Sequence, residues 1–377
     1  MASPLILCVV GARPNFMKMA AILPALREAG LATALIHTGQ HYDFAMNQSF
    51  FQQLALPLPD EDLGVGSGSH AVQTAEIMKR FEPVLTQRRP ALTLVVGDVN
   101  STLACALTSV KMGIPTAHVE AGLRSFDRSM PEEINRLLTD QIAALLFTTE
   151  RQAALHLARE GIDATQVHFV GNVMIDTLRR LLPSAPIPAE ALRRLLRDTP
   201  DQAEAAVETP WRGYGVATLH RPSNVDDPSV LRGLLEVLAE LAQRLPIIAP
   251  LHPRTRKRME AHGLEHFFSV PGLWITGPAG YLEMLGLLAG AKLALTDSGG
   301  VQEETTALGT PCLTLRPNTE RPVTVDEGTN TLVGSDPQRV RAAAEEILLS
   351  GGKAGRIPEL WDGQAAPRIA QVIRDWV

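Results

Sequence analysis

The feature that most constrains the fold is the regular alternation of short apolar runs with amphipathic helical stretches. Each apolar run ends in a glycine or a polar residue. LILCVVG (Leu5 to Gly11) reads as a buried strand, followed by Arg13-Pro14-Asn15 and a helical pattern from about Phe16 to Ala29. ATALIHTG is the next strand, and LTLVVGD (Leu92 to Asp98) precedes a helix opening at Asn100-Ser101, both good caps. IPTAHVEAG (Ile114 to Gly122), ALLFTT and VHFVGN (Val167 to Asn172) continue the series. Alternation of this kind specifies a parallel, doubly wound sheet.

The texture then changes. Leu182 to Gly213 holds several prolines, one helix-like run (AEALRRLLRD) and little strand signal. Alternation resumes with YGVATLH, a long helix from about Ser229 to Arg244, PIIAPLH, LWITG, KLALTD, TPCLTL and TLVG. In that helix Leu231, Leu234, Leu235, Leu238 and Leu241 share one face. The chain therefore reads as α/β, two Rossmann-like domains over 1–171 and 172–365 with a cleft between them. The final stretch, Ala366 to Val377, is expected to pack back on the first domain.

Bulk properties narrow the function classes. With 377 residues, 45% hydrophobic and 20% charged, the chain has the makeup of two globular cores. The net charge of −6 and the single short basic run Arg254 to Arg258 argue against a nucleic-acid partner. The apolar start, Pro4 to Val10, lacks the basic flank and cleavage site of a secretion signal and reads as a first strand. No apolar run reaches the roughly 20 residues that cross a bilayer, so no membrane contact is expected. Cys8, Cys105 and Cys312 are far apart among apolar residues, without metal-ligand spacing, as in a reducing, cytoplasmic setting.

Gly64-Val65-Gly66-Ser67-Gly68-Ser69 superficially matches a dinucleotide fingerprint. It follows the polar PDEDLG segment rather than a strand, and Ser69 stands at the third glycine position. It reads instead as a loop near the cleft.

Polar residues concentrate at the carboxyl ends of the strands, where open α/β sheets bind ligands. KLALTDSGGVQEETTAL (Lys292 to Leu308) is a strand, a glycine turn and a helix expected from Val301. Ser298, Gly299 and Gly300 would let a phosphate approach the first, unpaired helix amides. Glu303 and Glu304 follow in the expected first turn, where a carboxylate suits hydroxyl donors such as those of a ribose. A capped helix behind a buried strand is the plain alternative. Arg13 and Lys18 follow the first strand as diphosphate holders or as a surface pair. Asp98 is equally a helix cap or a site residue. Glu120 interrupts an apolar strand, with His118 on the same face by strand alternation and Arg124 as a structural partner. In MPEEINR, Pro131 opens a helix whose buried stripe is expected to be Ile134, Leu137, Leu138 and Ile142, and Glu132 is placed to pair with Arg136 on the surface. His220 and His252 end successive strands, each followed by an arginine, Arg221 and Arg254, which points to ligand contacts. Arg321 adds a further cation after TPCLTL.

The motifs GARPNFMKMA, TGQHYD, VVGDVNSTLA, HVEAGLRS, MPEEINR, the LHR of ATLHRPSN, LHPRTR, LTDSGGVQEE and ERPVTVDEGTN span Gly11 to Gly334. In this order they resemble the non-hydrolysing UDP-N-acetylglucosamine 2-epimerases. The resemblance implies a glycosyltransferase-B-like fold, interconversion of UDP-GlcNAc and UDP-ManNAc, a homodimer, and no redox cofactor or essential metal. UDP would be eliminated across carbons 1 and 2 of the sugar to give 2-acetamidoglucal, then added back with protonation on the opposite face. Matched motif by motif, Asp98, Glu120 and Glu132 fall on the family's acid/base carboxylates and His220 on its essential histidine. Arg13 and Lys18 match phosphate-side residues, Ser298 to Gly300 the diphosphate turn, Glu304 the ribose contact, and Arg321 an arginine near the site. The segment GQHYDFAMNQ departs from the pattern of members with a regulatory UDP-GlcNAc site.

Three competing readings stay open. One is a relative acting on UDP-2,3-diacetamido-glucuronic acid, which shares TGQHYD, MPEEINR and HPRTR, although ERPVTVDEGTN favours the GlcNAc enzyme. A glycosyltransferase of the same fold is the second, and a non-catalytic nucleotide-sugar-binding regulator the third.

Overall fold

The computed structural model describes residues 3–40, 51–197 and 213–377. Most of GQHYDFAMNQ, from His41 on, lies outside the described residues. The chain divides into two compact units, Met1–Arg180 with Glu359–Val377, and Leu181–Pro358.

The first unit is built on seven strands: β1 (Leu5–Val10), β2 (Ala32–His37), β3 (Glu61–Asp62), β4 (Leu92–Val96), β5 (Thr116–Ala121), β6 (Leu145–Thr148) and β7 (Val167–Phe169). Their order is β3-β2-β1-β4-β5-β6-β7, with every neighbouring pair parallel. β1 to β6 are almost entirely buried apart from the two-residue edge strand β3, as near-continuous apolar runs between two helical layers require. On one side the helix Arg13–Glu28 packs against Ala365–Trp376. The amides of Ala365 and Ala366 at the start of that last helix donate to the buried Asp176, at 3.2 and 2.7 Å. Elsewhere His70–Arg88 packs on Asn100–Lys111, which packs on Pro131–Ile142.

β3 was not expected from the polar PDEDLG segment; it pairs with β2 through Ile36↔Glu61 and His37↔Asp62. The glycine-rich loop after it is held down, with Val65 N donating to Thr38 O and Gly66 N to Gly39 O. Ser69 caps the helix His70–Arg88. Asn100 and Ser101 do not cap their helix, since the N-cap is Val99. The Asn100 amide donates to Gln73 Oε1 at 2.8 Å, and Ser101 donates through N and Oγ to Gln40 Oε1.

The second unit carries β8 (Gly215–Thr218), β9 (Ile247–Pro250), β10 (Leu273–Thr276), β11 (Leu293–Thr296), β12 (Cys312–Thr314) and β13 (Asn330–Leu332). The order is β10-β9-β8-β11-β12-β13, again wholly parallel. Its core includes the leucine face of the helix Pro228–Ala242, where Leu231, Leu234, Leu235, Leu238 and Leu241 are all buried. Each such side chain contributes about 1.5–3 kcal/mol relative to exposure.

In both sheets the order in which strands are added reverses once. The reversal falls between β1 and β4 in the first unit and between β8 and β11 in the second. Arg13, at the first position of the helix after β1, and Asp98, His220 and Ser298, in the loops leaving the other three strands, place polar residues at the topological switch point of each unit. No described helix is long and apolar enough to cross a membrane. The three cysteines are buried and free.

Candidate active site

In the first unit the chain leaves β1 through Gly11-Ala12 into the helix Arg13–Glu28, which starts earlier than the apolar pattern indicates. Asn15 reaches back so that Gly11 N and Ala12 N both donate to its Oδ1 at 3.1 Å, while its amide donates to Val96 O at 3.0 Å. This ties the end of β1 to the end of β4 and occupies two amides that would otherwise be free for an anion. Arg13 is the half-buried first helical residue; Lys18 is buried and forms an ion pair with Glu120.

Glu120 is a non-glycine residue at φ 75°, in a bulge where the β5–β6 register shifts between Val119 and Ala121. Such a conformation costs about 1–3 kcal/mol and is typical of re-aimed functional side chains. The bulge breaks the two-residue alternation, so the same-face expectation for His118 and Glu120 fails. Glu120 turns to Lys18 on the helix Arg13–Glu28, whereas His118 turns to Asp140 on the helix Pro131–Ile142, with Nδ1 to Oδ1 at 2.6 Å. Arg124 is not the partner of Glu120 either. It is held by Asp140 at 2.7 Å and Glu160 at 2.6 Å.

Gly97 links these groups. Its φ is 69°, and a Cβ there would stand 2.9 Å from Lys18 Nζ, so glycine leaves room for the lysine. The Gly97 carbonyl lies 2.7 Å from His118 Nε2. Asp98 then presents Oδ2 to Arg136 Nη1 at 2.5 Å, and Asn135 donates to the Asp98 carbonyl at 2.9 Å. Arg136 is gripped from its other side by Glu133 at 2.8 Å. Glu133 is bonded by Ser125 and Phe126 amides as well. Burial pushes the Glu133 carboxyl up, but these amides and Arg136 outweigh it and hold it below the usual range.

The helix Pro131–Ile142 is therefore inverted relative to expectation. Glu133, Asn135, Arg136, Thr139 and Asp140 face inward, while Ile134 and Leu138 are 38% and 48% exposed. The polar side is buried because four of these residues find partners on β4, β5 and their loops. Apolar periodicity alone carries no such information. Arg136 is buried and does not pair with Glu132. Glu132 itself is half-buried at the helix start, with no side-chain hydrogen bond or ion pair to the described residues.

In the second unit the turn after β11 begins with Asp297, which is fully buried. Asp297 accepts from His220 N at 3.0 Å, Arg221 N at 2.9 Å and Asn224 Nδ2 at 3.1 Å, and His220 Nδ1 lies 2.6 Å away. β8 and β11 run side by side, Thr296 opposite Thr218, which brings the two loops together. The next helix starts at Gly299, two residues before the expected Val301, and the Ser298 side chain does not cap it. Glu303 and Glu304 consequently lie beyond the first turn, and both are buried.

Gly299 is needed for close approach by a side chain. A Cβ there would meet Arg321 Nη1 at 2.5 Å and Glu320 Oε1 at 3.0 Å. Glu320 grips Arg321 at 2.6 Å and Arg316 at 2.8 Å, and Arg321 Nε lies 2.9 Å from Glu303. Burial opposes ionisation of Glu320, yet its two arginines hold the carboxyl well below the usual range. Glu304 has the opposite fate: burial first, then the neighbouring Glu303, push it up to about 8, against a lowering hydrogen bond from Tyr281. His252 caps the helix Pro253–Ala261 by accepting from Arg254 N, and Arg254 is engaged by Asp226 at 2.7 Å. These two stand at the end of β9, one strand away from the switch point.

The structure thus gathers Lys18, Asp98 and Glu120 in one unit and His220, Ser298, Gly299 and Arg321 in the other. Sequence reasoning missed Asn15, Glu133, Arg136, Asp297, Arg316 and Glu320 as parts of these clusters. Asp297, an acid closing an apolar strand before a glycine pair, carried a readable signal.

A family model described as UDP-N-acetylglucosamine 2-epimerase matches residues 24–374. A UDP-N-acetylglucosamine 2-epimerase homolog of Methanococcus maripaludis is 44% identical over 376 residues, covering 98% of this chain and 99% of that one. The UDP-2,3-diacetamido-2,3-dideoxy-D-glucuronate 2-epimerase of Pseudomonas aeruginosa is 39% identical, covering 98% and 99%. The crystal structure of Methanocaldococcus jannaschii UDP-GlcNAc 2-epimerase, in complex with UDP-GlcNAc and UDP, superposes with a TM-score of 0.85 at 40% identity, covering 98% and 99%. The match runs from the first helix to the last and through both sheets, in keeping with the resemblance carried by the motifs. This chain belongs to the UDP-N-acetylglucosamine 2-epimerase family.

Proposed function

We propose that this protein interconverts UDP-N-acetylglucosamine and UDP-N-acetylmannosamine by inversion at carbon 2 of the sugar. The observation that carries the reading is the pair Asp98, just after β4 at the β1/β4 switch point, and Glu120, at the end of the neighbouring β5, each already oriented by a cation, Arg136 and Lys18. The hydrogen on carbon 2 is not acidic, so its removal must accompany departure of the nucleotide. In this scheme one carboxylate takes the carbon-2 proton, a double bond forms between carbons 1 and 2, and the carbon 1–oxygen bond breaks with its electron pair going to UDP. Return of UDP and protonation of carbon 2 from the other face complete the inversion. Two faces require two proton carriers, for which Asp98, Glu120 and Glu132 are the candidates.

The second unit receives the nucleotide in this reading. Ser298, Gly299 and Gly300 take the diphosphate at the start of the helix Gly299–Leu308, and Arg321 and His220 supply positive charge and N–H donors for the leaving group. Glu304 meets the ribose, and Arg13 and Lys18 serve the phosphate side from the first unit.

The test is one NMR reaction in deuterated buffer. Incubated with UDP-GlcNAc, the protein should yield UDP-ManNAc with deuterium at carbon 2 of both sugars. Epimerisation without exchange would refute the elimination route. UDP release only when an acceptor sugar is present would mark a glycosyltransferase. A second substrate reading is favoured by the 39% identity to the Pseudomonas aeruginosa enzyme. Offering UDP-2,3-diacetamido-glucuronate in the same assay separates the two, and ERPVTVDEGTN supports the GlcNAc form.

The proposal extends to a homodimer without bound cofactor. Val72, Val110, Ile134 and Leu138 are exposed apolar side chains on three successively packed helices of the first unit, and they support contact with a second copy. Light scattering should give twice the chain mass, and Leu138→Glu should lower it. Three buried, free cysteines are in keeping with a cytoplasmic protein.

A further inference from the structure

His220 is fixed from one edge only. Its Nδ1 lies 2.6 Å from Oδ1 of the buried Asp297, while its own side chain is 44% exposed. The opposite edge of the ring, with Nε2, is therefore turned away from the carboxylate and outward. Asp297 is itself held in place. Its Oδ2 accepts from His220 N at 3.0 Å, Arg221 N at 2.9 Å and Asn224 Nδ2 at 3.1 Å. Asn224 is anchored in turn by donating to Leu315 O at 2.9 Å. Burial pushes the Asp297 carboxyl up, but His220 and the N–H donors outweigh it and keep it below the usual range. An ionised carboxylate has no proton to give, so Nδ1 of His220 must carry the one between them.

We propose that Asp297 is the positioning residue for His220, locking its proton on Nδ1 and presenting Nε2 as the working nitrogen toward the leaving diphosphate. This rests on the reading of Ser298 to Gly300 as the diphosphate turn. Asp297 immediately precedes Ser298, so one short segment sets both the anion turn and the histidine. A carboxylate behind a histidine fixes its tautomer and ring orientation, as in other carboxylate–histidine pairs. When it donates, Nε2 carries a second proton as part of an imidazolium; it passes that proton to the phosphate oxygen as UDP leaves and takes it back on re-addition, while Nδ1–H stays unchanged.

Asp297→Asn tests this with nearly unchanged shape. The amide oxygen takes the side where three donors converge, leaving its NH₂ facing Nδ1. Nδ1 must then accept, and His220 switches to the Nε2–H tautomer. Long-range ¹H–¹⁵N spectra of histidine-labelled protein, assigned with His220→Gln, should show Nδ1 protonated in the parent protein at alkaline pH and Nε2 protonated in Asp297→Asn. Turnover of Asp297→Asn should fall by about 10²–10⁴-fold, the usual span for a misplaced acid–base group, while UDP binding by calorimetry changes little. Adding UDP to the parent protein should shift the Nε2 resonance and leave the tautomer alone. A neutral His220 protonated at Nε2 in the parent protein, a His220 untouched by UDP, or parent-like turnover in Asp297→Asn would each overturn the proposal. The parent spectra decide it even if Asp297→Asn fails to fold. They involve no turnover, so a protein that epimerises nothing yet shows Nδ1–H and a UDP-sensitive Nε2 would refute the proposed reaction and uphold the pairing.

Discussion

Asp98 and Arg136 meet at 2.5 Å, and the guanidinium that holds Asp98 is itself anchored at 2.8 Å by the buried Glu133. A residue at a strand end is thus aimed by a helix more than thirty positions further along the chain. Removing the cation leaves Glu133 buried with only the Ser125 and Phe126 donors, where breaking a typical buried ion pair costs about 3–5 kcal/mol. Arg136→Met should therefore lower the melting temperature by several degrees in a thermal scan and reduce turnover at least tenfold. Arg136→Lys should recover much of the stability but little of the rate, because an ammonium cannot bridge both carboxylates with the same planar geometry.

Glu120→Gln should abolish exchange of the carbon-2 hydrogen while UDP binding, measured by calorimetry, is largely spared. The nucleotide is assigned to the other unit, so the two readouts should separate. A variant that still exchanges at near-parent rate would remove Glu120 from the proton-carrying role.

Gly97→Ala combines two faults. Its φ of 69° is unfavourable for alanine, and its Cβ would come within 2.9 Å of Lys18 Nζ. We expect about 1–2 kcal/mol of destabilisation from the backbone. Displacement of Lys18 from Glu120 should add at least a tenfold loss of turnover. Gly299→Ala has no such backbone penalty, but its Cβ would meet Arg321 Nη1 at 2.5 Å. Its effect should fall on UDP affinity, measured by calorimetry, more than on melting temperature.

Glu304 gives the pH prediction. Its carboxyl sits at about 8 in the folded protein against an ordinary value of 4.5, so the folded state holds the proton over an interval in which the unfolded chain has released it. Its contribution to stability is therefore greatest below the ordinary value and is lost as pH rises toward 8. Glu304→Gln should remove that slope. The unfolding free energy of the variant relative to the parent, read by denaturant titration, should rise between pH 5 and pH 8 by an amount on the order of a few kcal/mol. A constant difference across that range would show that Glu304 does not hold a proton in the fold.

Much of the architecture was legible from the residues in order. The apolar runs ending in Gly97, Gly122 and Asp297 marked parallel strands, since buried strands between two helical layers must be apolar on both faces. The leucine face of Pro228–Ala242 was equally plain. Reading the helix Pro131–Ile142 by the same rule failed, because its inward face is held by ion pairs and hydrogen bonds rather than by apolar contact.

The chemistry divides along the same line. Local sequence determined which residues stand at strand ends, because strand, turn and helix follow from periodicity and from glycine within a few positions. Lys292 to Leu308 is the clearest case: its strand, its glycine turn and its helix are written in consecutive residues. Tertiary structure alone decided the partners, Lys18 for Glu120, Arg136 for Asp98, Asp297 for His220 and Arg321 for Gly299. Those pairings depend on strand order and on one bulge. Reversal of strand order at β1/β4 in one sheet and at β8/β11 in the other brings together, within each unit, loops separated by some eighty residues, and no local pattern encodes which distant charge will be waiting there.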